Sequence, residues 1–119
     1  MIKKLVLSGF AAMAILFAAG CGDSPQTTAK VFLENLSKGN VTVAKKYATE
    51  QTGEFIDAVV EMDKLEINPD FKFIFIDETV DGDFAVIRYK SSGNATNEIK
   101  ALHLVKTNSQ WKVTIQKDQ

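Results

Sequence analysis

Asn68-Pro69-Asp70-Phe71-Lys72-Phe73-Ile74-Phe75-Ile76 is the stretch in which the periodicity of the chain changes. Asn68-Pro69-Asp70 ends a helical pattern, because proline lacks a backbone donor and pushes the residue before it out of the helical region. From Phe71 onward the period is two: Phe71, Phe73 and Phe75 alternate with Lys72, Ile74 and Ile76, the pattern of a strand. A chain that turns from period 3.6 to period two at one point collects its helices before its strands, which is the layout of an α+β domain.

Downstream, Asp81-Gly82 reads as a hairpin turn into a second strand from Phe84 to Lys90. Residues Ser91 to Asn97 form a loop, Glu98 to Lys106 a third strand, Thr107 to Gln110 a turn, and Trp111 to Lys117 a fourth strand. Upstream, Phe55, Ala58, Val59 and Met62 share a stripe on a helix expected from Glu54 to about Leu65, and Asn40 stands as the cap of a shorter helix through Val43, Ala44 and Tyr47. The first helix has the clearest signals. Ser24 supplies an N-cap oxygen, and Pro25 sits at the first helical position, where its missing N–H costs nothing. Ala29, Phe32, Leu33 and Leu36 recur at helical spacing, and Gly39 closes the helix. The expectation is three N-terminal helices packed on one face of a four-stranded antiparallel meander.

The other sheet face is not uniformly polar. The fourth strand alternates cleanly, Trp111, Val113 and Ile115 against Lys112, Thr114 and Gln116. In the first strand, however, Ile74 and Ile76 oppose the phenylalanines, and in the third Leu102 and Leu104 oppose Ile99, Ala101, His103 and Val105. Large exposed apolar patches are uncommon on monomers. This face is therefore expected to be covered by a second copy of the chain or by a partner protein.

The N-terminal segment reads as an address. Lys3 and Lys4 precede an apolar run from Leu5 to Phe17, broken only by Ser8 and Gly9, and Ala18, Ala19 and Gly20 follow. The run falls short of the roughly 20 residues of a spanning helix and ends as a cleavage site ends. The next residue, Cys21, is the one cysteine of the chain, so no internal disulfide can form. Small residues before a cysteine at the end of an apolar leader resemble the bacterial lipobox, with Ala18 where Leu is most usual. That resemblance implies removal of residues 1–20, a thioether-linked diacylglycerol on Cys21 and an acyl chain such as palmitate on its new amine. Several acyl chains anchor stably, each buried methylene contributing about 0.8 kcal/mol. Residues 21–24 then form a tether of about 15 Å at most, and residues 25–119 a single domain held close to a bilayer of the cell envelope. Gly22, rather than Asp, after the cysteine points to the periplasmic side of an outer membrane over an inner one.

Without the leader, 12 basic side chains face 15 acidic ones, a net charge of about -3 that gives no general attraction for nucleic acid. The charges are polarised. Residues 50–83 hold eleven acidic side chains against Lys64 and Lys72, and residues 84–119 hold six basic ones against Glu98 and Asp118.

Across the mature chain the motifs Ala29-x-x-Phe32-Leu33-x-x-Leu36, Gly39-Asn40, Ala44-Lys45, Gly82-Asp83-x-Ala85-x-Ile87, Leu104-Val105-Lys106 and Trp111-Lys112-Val113 resemble those of a family. It comprises small bacterial lipoproteins of unknown function with a nuclear transport factor 2-like, cystatin-like domain, sometimes labelled lumazine-binding-like. Asn108-Ser109-Gln110 departs from the glycine usual before the Trp-Lys pair. The resemblance implies a curved sheet wrapped round the helices as a cone, and homodimers through the outer sheet face.

Enzymes on such cones use an Asp, His or Tyr inside the pocket, which makes Tyr47, Asp57, Tyr89 and His103 the candidates. His103 is the sharpest, as an imidazole among Ile99, Ala101 and Val105 could act as a base once desolvated. No second titratable group is fixed beside it by spacing. Asp57 and Glu61 lie one helical turn apart, where like charges mark a solvated face. The run from Asp77 to Asp83 fails as a calcium loop, because Thr79 stands at its third place and Arg88 at its twelfth, where a bidentate Glu belongs. No Cys/His cluster suits zinc and no glycine-rich turn precedes a helix, so no cofactor or metal is expected. The sequence thus points to a lipid-anchored, non-enzymatic module that binds a protein or a small apolar ligand. Two alternatives stand: an enzyme on a small hydrophobic substrate with His103 or Asp57 as general base, and an inhibitor or immunity-type protein that uses its acidic helix.

Overall fold

Three helices precede four strands in the computed structural model, which describes residues 24–92 and 98–115. The leader, Cys21 and the loop around Asn94 lie outside the described residues. The helices are α1 (Pro25–Ser37), α2 (Val41–Lys46) and α3 (Glu50–Glu61); the strands are β1 (Lys72–Asp81), β2 (Phe84–Ser92), β3 (Lys100–Thr107) and β4 (Gln110–Thr114). They pair in sequence order as an antiparallel meander. The α+β architecture expected from the change of period is the one observed.

The local signals explain most of the boundaries. Ser24 Oγ accepts the Thr27 N–H at 3.1 Å with Pro25 next to it, so α1 begins at its cap. At its other end Gly39 takes φ +85°, and the Gly39 and Asn40 amides donate back to Leu36 and Asn35 carbonyls, a Schellman closure. Asn40 does precede α2, but its side chain donates to Asn35 Oδ1 and caps no helical amide.

α3 starts four residues before the expected Glu54, because Thr49 Oγ accepts the Thr52 N–H and begins the helix there. It also stops earlier than expected. Asp63 adopts φ +58° and closes a Schellman turn through Asp63 N–H to Val60 O and Lys64 N–H to Val59 O. The face that packs is not the expected one. Its buried residues are Thr52, Gly53 and Ile56, while Phe55, Ala58 and Met62 of the expected core stripe are exposed.

β1 is longer than the six residues expected and includes part of the acidic run. A bulge at Ile76 makes this workable: Phe75 pairs with Tyr89 and Asp77 with Arg88, so Ile76 has no partner of its own. Without the extra residue strict alternation would turn Asp77 and Asp81 toward the helices. With it they face outward, and Val80 comes opposite Ala85. Asp77 then accepts from Arg88 Nε at 2.9 Å, and these guanidinium hydrogen bonds hold its carboxyl below the usual range. Gly82 at φ +62° makes the tight turn into β2. Between β3 and β4, Asn108 and Ser109 both take positive φ, 50° and 67°, the two left-handed places of a type I′ turn.

The core lies between α1 and the inner sheet face, where Ala29, Phe32 and Ala44 meet Ala85, Ile87, Leu104, Trp111 and Val113. Both sheet edges are managed. The backbone at Tyr47 to Thr49 runs along β4, with Val113 N–H donating to Tyr47 O and Thr49 N–H to Val113 O at 2.8 and 2.9 Å. On the β1 edge, Glu34 accepts the Phe73 N–H at 3.3 Å and Lys30 Nζ at 3.1 Å. Burial works against the charge of Glu34, yet these hydrogen bonds outweigh it and hold the carboxyl below its usual pKa.

Candidate functional site

A cleft of about 550 Å³ opens between α1, α3 and the end of β4. Its sheet side lies at the His103–Thr114 pair, beyond which β3 continues as Leu102 and Ala101. Phe32 and Leu36 of α1, Phe55 and Ile56 of α3, and Leu102 and Val113 of the sheet line it. Its polar members are Thr52, His103 and Thr114. Thr52 is 4% exposed, and its Oγ accepts the Ile115 N–H at 3.0 Å and bonds Thr49 Oγ at 2.8 Å. That hydroxyl fixes the chain end of β4 to the first turn of α3, and so shapes one wall.

The structure separates the four residues singled out for chemistry. His103 does reach the cleft, but by register it lies opposite Val86 and Thr114, on the sheet face away from α1, and meets the cleft at its rim. Asp57 is elsewhere: it accepts two hydrogen bonds from Lys45 Nζ, at 2.8 and 2.9 Å, on the outside of the helical layer. Tyr47 packs beside the core at the end of α2. Tyr89 is 8% exposed with its ring stacked on Phe73 at 5.7 Å, and burial, aided by the Glu98 carboxylate, raises its hydroxyl pKa. Neither tyrosine borders the cleft. Among the described residues, those that border it include no carboxylate. Asp77 and Arg88, the ends of the rejected calcium loop, form an ion pair. Among the described residues no group of His, Cys, Asp or Glu side chains is arranged to hold a metal ion, and no helix is long and apolar enough to cross a membrane. Cys21 lies outside the described residues.

The cleft itself was not legible in the sequence as a site. Four separated segments build it, and Phe55 has the spacing of a core residue. The usable signal was Thr49-Glu50-Gln51-Thr52, a cap that moves the helix start and places Thr52 in its first turn.

The outer sheet face is as apolar as its alternation suggested. Phe84 pairs with Val105 and Val86 with His103, and Ile74, Phe84 and Ile99 are 40, 63 and 48% exposed.

No protein-family model matches the chain, and no curated protein matches it. Among solved structures it is similar to a Campylobacter jejuni protein described as a "putative NTF2-like transpeptidase", with a TM-score of 0.58 and 20% identity over 79% of this chain and all of that one. At that identity the likeness concerns the fold, which for this chain is the NTF2-like α+β cone.

Proposed function

We propose that the NTF2-like domain of this chain binds a small, mainly apolar ligand in the cleft between α1, α3 and β4, and that Cys21 carries the lipid that holds it at the cell-envelope membrane. The observation that carries the first part is the cleft lining. Phe32, Leu36, Phe55, Ile56, Leu102 and Val113 offer apolar surface, Thr52, Thr114 and His103 a few polar atoms, and no carboxylate stands among the described lining residues. That composition is typical of small-molecule sites. Phe55 is 57% exposed at the entrance, the kind of aromatic surface that an apolar ligand would cover.

The transpeptidase description of the structural neighbour raises an enzymatic reading. Acyl transfer needs a nucleophile within hydrogen-bond reach of a base. The hydroxyl of Thr52 is engaged with the Ile115 amide and Thr49, and the carboxylate candidate Asp57 is tied to Lys45 outside the cleft. Thr114 stands opposite His103 at the rim with its hydroxyl donating to the Ile115 carbonyl at 3.5 Å, and no carboxylate among the described lining residues orients that imidazole, so binding without chemistry is the reading these contacts favour.

Titration of the leaderless chain with an environment-sensitive apolar dye tests it. Saturable binding of one dye per chain is expected, weakened about tenfold or more by Phe55→Asp and changed little by His103→Ala. Absence of saturable binding in the wild-type chain refutes the cleft reading, and a turnover that His103→Ala abolishes would replace it with the enzymatic one. For the anchor, Cys21→Ala in the full chain is expected to leave the membrane fraction, whereas a processed, membrane-bound variant refutes it.

A further inference from the structure

We propose that the outward face of α3, where Phe55, Ala58 and Met62 run beside the carboxylates of Glu50, Glu54 and Glu61, docks a cationic amphipathic helix of a partner protein. α3 has three faces. Thr52, Gly53 and Ile56 meet the core, and Glu50, Glu54, Asp57 and Glu61 form an acidic ridge on the solvent side. Between the ridge and the cleft runs the strip, with Phe55 57% and Met62 60% exposed and Ala58 exposed between them. Spacing of i, i+3 and i+7 makes it about 10 Å long at 1.5 Å per residue. Three apolar positions on successive turns are more than scattered surface residues, and among the described residues no sheet or helix covers this strip.

The chemistry beside the strip selects the occupant. α3 spends its backbone hydrogen bonds within itself, so an extended segment cannot add to it by strand pairing, and side-chain packing is the available mode. A helix with apolar residues at matching spacing fits such a surface. The ridge lies along one flank only. Asp57 is paired with Lys45, and among the described residues Glu50, Glu54 and Glu61 form no ion pair. A partner seated on the strip must therefore bring Lys or Arg along that flank, or bury its own charges against carboxylates. A membrane surface fits poorly, since helices that lie on anionic lipid carry basic rather than acidic polar faces. A second copy fits poorly as well. Among the described residues α1 exposes no large apolar side chain and α2 only Val43, so no described helix offers the complementary face.

The surface shares Phe55 with the mouth of the cleft, but Ala58, Met62 and the three glutamates do not border it, so the variants that test the strip leave the cleft lining in place. The test uses the full chain in nanodiscs of zwitterionic lipid, with empty discs as reference. The probe is a synthetic amphipathic helix with leucines at i, i+3, i+4 and i+7 and lysines on one flank. Its counterpart has glutamates in place of the lysines. Saturable one-to-one binding of the cationic peptide is expected, at least about tenfold tighter than that of the anionic one and weakened as salt shortens the Debye length from about 10 Å at 0.1 M to about 3 Å at 1 M. Glu54→Lys combined with Glu61→Lys, and separately Met62→Gln, should each weaken it about tenfold. Apolar-dye binding in the cleft should survive both changes, which also shows that the variants are folded. Equal binding of the two peptides overturns the proposal, as does indifference to both variants. Vesicles of anionic lipid that bind through the same residues, or self-association that the same variants abolish, overturn it in favour of a membrane or a second copy.

Discussion

Thr52 is the residue through which the cleft and the stability of the domain can be tested together. Its hydroxyl accepts the Ile115 N–H at 3.0 Å and bonds Thr49 Oγ at 2.8 Å, while the side chain is 4% exposed. Thr52→Val keeps the shape and the β-branch but removes both bonds. The Thr49 cap survives, since Thr49 Oγ accepts from the backbone of residue 52. What is lost is a partner for a part-buried amide. A net hydrogen bond contributes about 0.5–1.5 kcal/mol and an orphaned buried donor costs about 1–3 kcal/mol. Ile115 is 37% exposed, so water can reach part of that amide and the lower end applies, about 1–2 kcal/mol. In a domain of about 100 residues this lowers Tm by about 5–15 °C. Urea unfolding of the leaderless chain gives the free energy, and amide hydrogen exchange gives the mechanism: the Ile115 amide should lose protection in Thr52→Val and keep it in Thr52→Ser. An Ile115 amide equally protected in Thr52→Val, or a loss of stability below about 0.3 kcal/mol, would refute the reasoning.

Ile87 is fully buried at the centre of the sheet, and Ile87→Ala should cost about 2–5 kcal/mol by urea unfolding. Ser109 holds φ +67° in the type I′ turn, a conformation that costs a β-carbon residue about 1–2 kcal/mol. Ser109→Gly should therefore raise stability by about 0.5–1 kcal/mol once the greater freedom of glycine in the unfolded chain is deducted, seen as a higher urea midpoint at unchanged slope. Glu34 has a folded pKa below its ordinary 4.5, so it binds fewer protons folded than unfolded; its contribution is present above about 4.5 and disappears as pH falls through the lowered folded value. The wild-type chain should lose stability over that acid window more steeply than Glu34→Gln, as read from urea midpoints at successive pH values.

The elements whose signals are local were legible. Ser24-Pro25 and Gly39 bracket α1 because capping is decided within four residues, and Phe71 to Phe75 declare a strand by alternation alone. Errors arose where a local signal was weak or was outvoted by a distant one. Asp63 closes α3 in a left-handed conformation that the sequence would announce more plainly with glycine. The acidic run from Asp77 to Asp81 has the composition of a turn, yet becomes strand because the Ile76 bulge aligns Asp77 with Arg88, eleven residues away.

The sequence by itself determined the class of the domain, the order of its helices and strands and the pairing of the meander, since periodicity, caps and short turns are properties of neighbouring residues. Only the tertiary structure decided what those elements enclose. α3 packs through Thr52, Gly53 and Ile56, which leaves Phe55 at the mouth of a cleft, and Leu102 of β3 and Val113 of β4 line that cleft from the sheet. His103 and Asp57, similar candidates on paper, part company for the same reason: one strand brings its imidazole to the rim, and a lysine from α2 holds the carboxylate outside. Distances between segments far apart in the chain are set by packing, and packing is where the candidate site of this protein is made.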